Sequence, residues 1–237
     1  MQMNRYEQTM SSASRDQVIS QFMSKVYLWM TAGITLTGVI SMYIGNNEEL
    51  LMTVLTNQIL FWGLIIAQFA LVIALGAGLR KMSAALAIGM FLLYAALNGV
   101  TLSVIFAAYT RESIQGAFYT SAFSFAGLSI FGFVTKKDLG PIGNFCTMGL
   151  FGLVGFGILS LFFPAMMGGV SGQVYSLAGI LIFAGLTAYD TQKIKMMAPR
   201  LENAEAMSKG AISGALTLYL DFMNLFLHIL RMSGKRK

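Results

Sequence analysis

The sequence predicts an all-α integral membrane protein with seven transmembrane helices. Two observations carry this prediction. The 237-residue chain is 56% hydrophobic and only 11% charged, whereas about a quarter of the residues in a soluble domain are charged. It also contains seven long apolar stretches, each near the ~20 residues that a spanning helix needs. Uncharged runs of this length do not alternate apolar and polar residues, as barrel strands do.

The predicted spans divide the chain into one membrane domain with two short tails. Residues 1–25 are polar and predict a cytoplasmic N-terminal tail, residues 26–230 form the seven-helix domain, and residues 231–237 form a basic C-terminal tail. The first 25 residues lack an apolar core, so no cleavable signal peptide is expected. The seven predicted spans are 26–45, 59–79, 84–109, 114–134, 141–163, 174–192 and 211–230.

Basic residues in the loops predict the orientation. The loops at 46–58 and 164–173 carry no Lys or Arg, and the loop at 110–113 carries only Arg111. The opposite side carries eleven basic residues, and the positive-inside rule therefore places that side and the N-terminus in the cytoplasm. These eleven residues are Arg5, Arg15, Lys25, Arg80, Lys81, Lys136, Lys137, Lys193, Lys195, Arg200 and Lys209.

The C-terminal tail conflicts with this rule. If the seventh segment crosses the membrane, Arg231, Lys235, Arg236 and Lys237 lie outside. If it re-enters, both termini are cytoplasmic. We favour full spanning, because 20 apolar residues suffice to cross and earlier helices usually dominate orientation.

Several classes of function receive no support from the sequence. The basic residues, which give a net charge of +6, lie mostly in short loops, as topology signals do, so nucleic-acid binding is not expected. The single cysteine, Cys146, cannot form an internal disulfide. There are too few His and Cys residues for a zinc site. No nucleophile elbow, Walker loop or dinucleotide motif is present, so we expect neither an enzyme nor a bound cofactor.

Two acidic residues stand out, because only Asp190 and Asp221 of the ten Asp and Glu residues lie inside the long apolar segments. A charged group at the centre of a membrane helix costs about 2.5–3.5 kcal/mol on insertion scales, and such residues usually mark a functional site. If the sixth helix continues to about residue 198, both aspartates lie about 12–15 Å from the loop that joins the last two helices. Adjacent antiparallel helices then place the two carboxyl groups at similar depth.

Other polar residues share a helix face with these aspartates. On the seventh helix, a stripe with spacings of 3, 4, 3 and 4 is expected to face the bundle interior. The third helix has a similar pattern, which includes Asn98. We therefore consider Thr187, Asn224, Asn98 and His228 as pore-lining or orienting residues. The stripe on the seventh helix consists of Gly214, Thr217, Asp221, Asn224 and His228, and the sixth helix places Thr187, Asp190 and Thr191 on one face.

Two neighbouring carboxylates in a low-dielectric site cannot both ionise easily, so the pair is expected to share a proton. The deprotonated pair would offer hard oxygen ligands to a divalent cation such as Ca²⁺, as a weak site. The alternative is structural: Asp190 pairs with a basic neighbour such as Lys193, or either aspartate caps a break in its helix. His228 more often packs than binds a ligand.

The segments that carry the aspartates resemble the Bax inhibitor-1 family, also called the transmembrane BAX inhibitor motif family. The most specific are FAGLTAYDTQKIK and GALTLYLDFMNLFLHILR, and the resemblance extends through LIIAQFALVIALGAGLRKMS, LNGVTLSVIF and VTKKDLG. It covers most of the chain from residue 26, and the short N-terminal tail is similar to that of bacterial members.

This resemblance implies six helices around a central seventh and a pH-sensitive calcium leak. Asp190 and Asp221 match the positions of the proton-sharing pair, and Arg80 is the nearest match to a basic residue that latches onto it. Animal relatives are linked to suppression of cell death, a role that need not extend to a bacterial member.

Three functions remain open at this stage. The first is a pH-sensitive calcium leak in a bacterial inner membrane, in which the bilayer, protons and Ca²⁺ are the partners. The second is a non-transporting regulator that binds another membrane protein, such as a quality-control protease, through residues 1–25 and the 193–210 loop. The third is a proton-coupled cation exchanger that uses the same acid pair.

Overall fold

The computed structural model describes residues 2–79, 81–201 and 203–237, with side chains from Ser14 onward. Within these ranges the chain is almost entirely helical, and seven helices are long and apolar enough to cross a membrane, which confirms the predicted fold class. The α-helices are α1 (Gln2–Gly45), α2 (Glu48–Thr56), α3 (Gln58–Gly78), α4 (Ala84–Leu102), α5 (Ile105–Ala108), α6 (Arg111–Val134), α7 (Gly140–Phe162), α8 (Gly169–Met197) and α9 (Ala204–Ser233).

The helix boundaries differ from the predicted spans at several places. The third predicted span, 84–109, is divided into α4 and α5, and α8 exceeds the sixth predicted span, 174–192, at both ends. Helix α1 starts at Gln2 instead of residue 26, because residues 2–32 contain no Gly or Pro and nothing breaks the helix. The predicted boundary at residue 25 therefore falls inside α1, and Phe22 is part of the core. The loop at 46–58 contains α2, and Asn57 both ends α2 and caps α3 by accepting from the Leu60 amide. Helix α9 starts at Ala204, after the cap Asn203.

The last helix, α9, is the centre of the bundle. In its most apolar window, 72% of the residues are buried, against 6% to 39% in the other spans. Helices α1, α4, α6 and α8 pack directly against it, while α3 packs mainly on α4 and α7 mainly on α8. The expected central seventh span is confirmed, with four helices next to it and two outside them.

Loop contacts define the two ends of the bundle. At the basic-loop end, which holds the loops 79–83, 135–139 and 198–203, Lys209 of α9 donates from Nζ to the Met82 carbonyl. At the C-terminal end, the Thr110 amide donates to the Lys235 carbonyl, and Tyr109 forms a β-bridge with Arg236. Helix α9 therefore runs from one end of the bundle to the other, as full spanning requires.

Glycines allow α8 to lie close to its neighbours. A Cβ atom at Gly132 of α6 would overlap the Ala188 carbonyl oxygen of α8, and one at Gly143 of α7 would overlap the Tyr189 ring. Both contacts lie within two residues of Asp190. Small residues at such positions let membrane helices approach closely. Here they fix the place of α8, which carries Asp190, against α6 and α7.

We expect Gly132→Ala to destabilise the protein by about 1–3 kcal/mol, the usual cost of overpacking, because the obstructing atom belongs to the backbone. Gly127→Ala is the matched control on α6, since a Cβ there meets nothing within 4 Å. Thermal unfolding in detergent measures the difference. Equal melting temperatures for the two variants would show that the α6–α8 contact is not tight.

Candidate functional site

The structure brings the two predicted aspartates together. Asp190 lies on α8 and Asp221 on α9, two antiparallel helices that pack more extensively than any other pair in the described part. Their carboxyl groups lie within hydrogen-bonding reach of each other. A hydrogen bond between two carboxyl groups needs a proton on one of them, so this geometry suits a singly protonated pair.

The two carboxyl groups differ in their surroundings. Asp221 is only 4% exposed, and its Oδ2 has no hydrogen-bond donor among the described residues, while Asp190 is half-buried. No Lys or Arg in the described part forms an ion pair with either aspartate. The ammonium of Lys193 lies instead over the Tyr189 ring, 5.5 Å from its centroid. Lys193 therefore forms no direct ion pair with Asp190, although it is close enough to act on Asp190 electrostatically.

The neighbours Thr187 and Asn224 bond to their own helices. Thr187 is fully buried, and its Oγ1 donates to the Phe183 carbonyl at 2.7 Å. Asn224 donates from Nδ2 to the Leu220 carbonyl at 2.8 Å. Neither side chain orients a carboxyl group in this conformation of the described chain. Both side chains lie near the pair, and their role as pore-lining residues stays a prediction.

Asn98 belongs to a different polar network. Its Nδ2 donates to the Tyr94 hydroxyl at 3.2 Å, and the Tyr94 ring packs edge-on against Tyr219 of α9. The Tyr219 hydroxyl in turn lies 2.7 Å from Oγ1 of Thr37, which donates to the Ala95 carbonyl. This network ties α1, α4 and α9 together two residues before Asp221, and neither Thr37 nor Tyr219 was predicted from the sequence as part of it.

His228 is a packing residue in this structure. Its ring lies between Tyr175, at 5.2 Å between centroids, and Phe183, at 5.7 Å, and is 8% exposed. Gly179 makes room for it, because a Cβ there would overlap the imidazole. Seven residues separate His228 from Asp221, about 10 Å along the helix. Direct contact with the acid pair is thus excluded by distance along the axis.

The predicted latch, Arg80, lies outside the described residues. The basic residue that fastens the α3–α4 loop to the central helix in the described part is Lys209. Its Nζ donates to the Met82 carbonyl at 3.2 Å and lies 3.4 Å from Oε1 of Glu205.

Two residues that hold the end of α8 near Asp190 were not predicted from the sequence as site residues. Gln192 donates from Nε2 to the Lys137 carbonyl at 2.8 Å and accepts from the Leu139 amide at 2.9 Å, so it ties α8 to the α6–α7 loop. Lys195 donates from Nζ to the Phe133 carbonyl of α6 at 2.7 Å. Polar residues at the end of a span commonly contact water, so the sequence alone did not distinguish these two.

One strip of α9 stays accessible. Between residues 210 and 230, every side chain is buried except five with spacings of 4, 3, 4 and 3. At 100° per residue, the strip falls between Asp221, which faces α8, and Tyr219, which faces α4. The strip therefore runs along the helix directly beside Asp221. Its members are Ser213, Thr217, Leu220, Asn224 and Leu227.

The acid pair alone does not make a complete metal site. Within the described ranges, no third Asp, Glu, His or Cys joins Asp190 and Asp221. Calcium takes 6–8 oxygen ligands, so carbonyl groups or water would have to complete its shell. The pair fits a cation that passes and binds weakly better than a resident ion.

These features define a class: a seven-span helical membrane protein with a carboxyl pair between its central helix and a neighbouring helix. Comparison with known proteins places the chain more narrowly. The model of the family described as "Inhibitor of apoptosis-promoting Bax1" matches residues 19–237. The chain therefore belongs to the Bax inhibitor-1 family, as its motifs indicated.

Bacterial relatives match over nearly their whole lengths. "Inner membrane protein YbhL" of Escherichia coli K12 is 40% identical over 239 residues, which cover 99% of this chain and all of YbhL. A protein of Deinococcus radiodurans is 40% identical, with 93% of each chain covered. A protein of Borreliella burgdorferi is 38% identical, with 92% of this chain and 93% of its own length covered.

We expect His228→Phe to leave the melting temperature close to that of the native protein, because the ring packs between aromatic rings and its Nδ1 has no partner in the described part. His228→Ala removes the ring and should cost about 2 kcal/mol or more through the cavity it leaves. Thermal unfolding of both variants in detergent tests this. A large loss in His228→Phe would indicate a polar role for the imidazole.

Proposed function

We propose that this protein is a pH-sensitive cation leak of the bacterial inner membrane, with Ca²⁺ as a permeant ion and Asp190 and Asp221 as its gate. The observation that carries the proposal is the carboxyl pair itself. Two acids from adjacent helices lie within hydrogen-bonding reach inside the membrane, and no described basic side chain forms an ion pair with either of them. Acids in that position are costly, and they commonly mark ion or proton pathways.

The gate works through a single proton. With one proton on the pair, the carboxyl groups bond α8 to α9. Loss of that proton leaves two negative charges on neighbouring helices, where they repel each other in a medium of low dielectric. The helices then separate or the pair attracts a cation, and both responses favour permeation. Arg80 pairs with an ionised aspartate in the closed state under this proposal.

The accessible strip on α9 supports a route to the gate. Thr217 and Asn224, its two members nearest Asp221, bond only to carbonyls of their own helix in the described chain, so their remaining polar groups are free to contact an ion or water. The strip lies between the sides of α9 that face α4 and α8, and these two helices do not pack extensively against each other in the described part. The cation path follows this strip.

The name of YbhL supports the location. It is an inner membrane protein by that name, and it aligns with 99% of this chain. Loop charges place the N-terminus in the cytoplasm under this proposal.

A second candidate function is regulation of another membrane protein without transport. Helix α1 favours it, because it extends from the core at Phe22 back to Gln2 as a continuous helix. Its described residues Ser14–Gln17 are exposed. A helical arm of this kind offers a docking surface. Stoichiometric co-purification of a partner, lost on deletion of residues 1–20, would favour this function.

The test of the leak is Ca²⁺ flux into liposomes that contain the purified protein, measured over a pH series. We expect flux that varies with pH, and we expect the double variant Asp190→Asn, Asp221→Asn to lose that dependence because no carboxyl group remains to titrate. Asp16→Asn, the same chemical change at an exposed position of α1, should behave like the native protein.

Three outcomes separate the candidates. Unchanged flux and pH dependence in the double variant would refute the gate. Absence of flux in pure liposomes would favour the regulator. Flux that needs an imposed proton gradient at constant pH would point to the exchanger.

A further inference from the structure

A long crevice separates α1 from α6. It consists of two cavities of about 600 and 490 Å³, which share the lining residues Ile34, Thr35, Phe118 and Phe222. Helices α1 and α6 do not pack extensively against each other in the described part, and Phe222 of the central helix forms the floor. The crevice lies away from the acid pair, since Phe222 and Asp221 face different neighbours of α9.

The smaller cavity, which we call the upper crevice, has the length of one bilayer leaflet. On α1 its lining runs from Ile34 to Asn46, twelve residues or about 18 Å of helix. One leaflet of the hydrocarbon core is about 15 Å thick. The upper crevice ends where it meets the larger cavity, at Ile34 and Thr35, near the middle of the first predicted span, 26–45.

The charged residue that lines the upper crevice lies at its outer mouth. Arg111 and Asn46 both line it, and the exposed Arg111 donates from Nη2 to Oδ1 of Asn46 at 2.7 Å. The larger cavity has no charged lining residue. A positive charge therefore marks one end of an otherwise largely apolar channel.

The C-terminal tail adds further positive charge beside this mouth. Lys237 donates from Nζ to the carbonyl of Phe106, which itself lines the upper crevice. The Lys235 amide donates to Oγ of Ser113 at 2.9 Å. The acidic residues nearest in the chain, Glu48, Glu49 and Glu112, are exposed and form no ion pair with Arg111 or the tail in the described part.

A second polar group points to a ligand deeper in the same space. Ser41 lines the upper crevice, is only 2% exposed, and its Oγ has no hydrogen-bond partner among the described residues. Buried hydroxyl groups nearly always have a partner. Ser41 precedes Asn46 by five residues, which is about 7 Å along α1. It therefore lies deeper in the crevice than the mouth at Asn46.

We propose that the upper crevice binds one anionic phospholipid. Its phosphate lies at Arg111 and the basic tail, an ester oxygen accepts from Ser41, and one acyl chain fills the apolar space down to Phe118 and Phe222. This occupant satisfies each observation: the leaflet length, the charge at one mouth only, and the unpartnered hydroxyl. It also gives the basic C-terminal tail, which opposes the positive-inside rule, a specific partner.

Native mass spectrometry of the full-length protein in detergent tests the proposal. The probes are phosphatidylglycerol and phosphatidylcholine with identical acyl chains. We expect one bound phosphatidylglycerol per chain and about tenfold weaker retention of phosphatidylcholine, because both lipids carry the phosphate but the choline group adds a positive charge that Arg111 and the basic tail repel. Arg111→Gln should remove this preference, while Arg200→Gln, the same change at the basic-loop end, should keep it.

A second variant tests the site and not only the charge. A Cβ at Gly38 meets nothing within 4 Å, and Gly38 lines the upper crevice. Gly38→Phe should therefore fill the space and abolish retention of either lipid. Gly63→Phe is the matched control on α3, where a Cβ is equally free.

Four results would overturn the proposal. They are equal retention of the two lipids by the native protein, an unchanged preference in Arg111→Gln, lipid retention in Gly38→Phe equal to that in Gly63→Phe, and a bound protein chain in place of lipid. Loss of preference in Arg111→Gln remains informative even if Gly38→Phe fails to fold, because Arg111 is exposed.

Discussion

The packing of α8 against α9 is the contact on which the rest of the structure depends. It places Asp190 and Asp221 side by side, and α8 is held in that position by close contacts with α6 at Gly132 and with α7 at Gly143. Four helices pack directly against α9, so the Asp221 side chain is buried within the bundle. The α8–α9 contact thus brings two separately unfavourable acids within hydrogen-bonding reach of each other.

Under the proposed function, the energetic balance of this pair explains why binding or loss of a proton can switch the protein between its two states. An isolated charge in the membrane interior is costly, and a buried charge without a partner destabilises a protein by several kcal/mol. A shared proton lowers the charge and supplies the missing hydrogen bond at once. Because the pair joins two helices, a change in its proton count changes the attraction between them. Under the proposed function, titration of the pair is therefore coupled directly to helix packing.

Much of the fold follows from hydropathy alone. Seven apolar runs predicted the seven spans, and the cost of burying an acid singled out Asp190 and Asp221. The extension of α1 to Gln2 could not be predicted in this way, because a polar helix beyond the membrane carries no hydropathy signal. The same holds for α2, whose bounds depend on the caps Asn47 and Asn57.

The surroundings of the site were harder to predict. Periodicity places Asn224 on the face of Asp221, but α9 is buried nearly all round, so sharing a face does not decide which neighbour a side chain meets. Gln192 and the contact between Thr37 and Tyr219 depend on which helices are adjacent in space. One-dimensional patterns do not contain that information.

The shared proton is the central claim, and infrared spectroscopy tests it most directly. The other eight acidic residues lie outside the long apolar segments, so only Asp190 and Asp221 place carboxyl groups within them. The protein in lipid at neutral pH should therefore show one protonated-carboxyl absorption, sensitive to exchange into D₂O. That absorption should vanish in the double variant Asp190→Asn, Asp221→Asn. Its absence from the native protein, or its persistence in the double variant, would contradict the account.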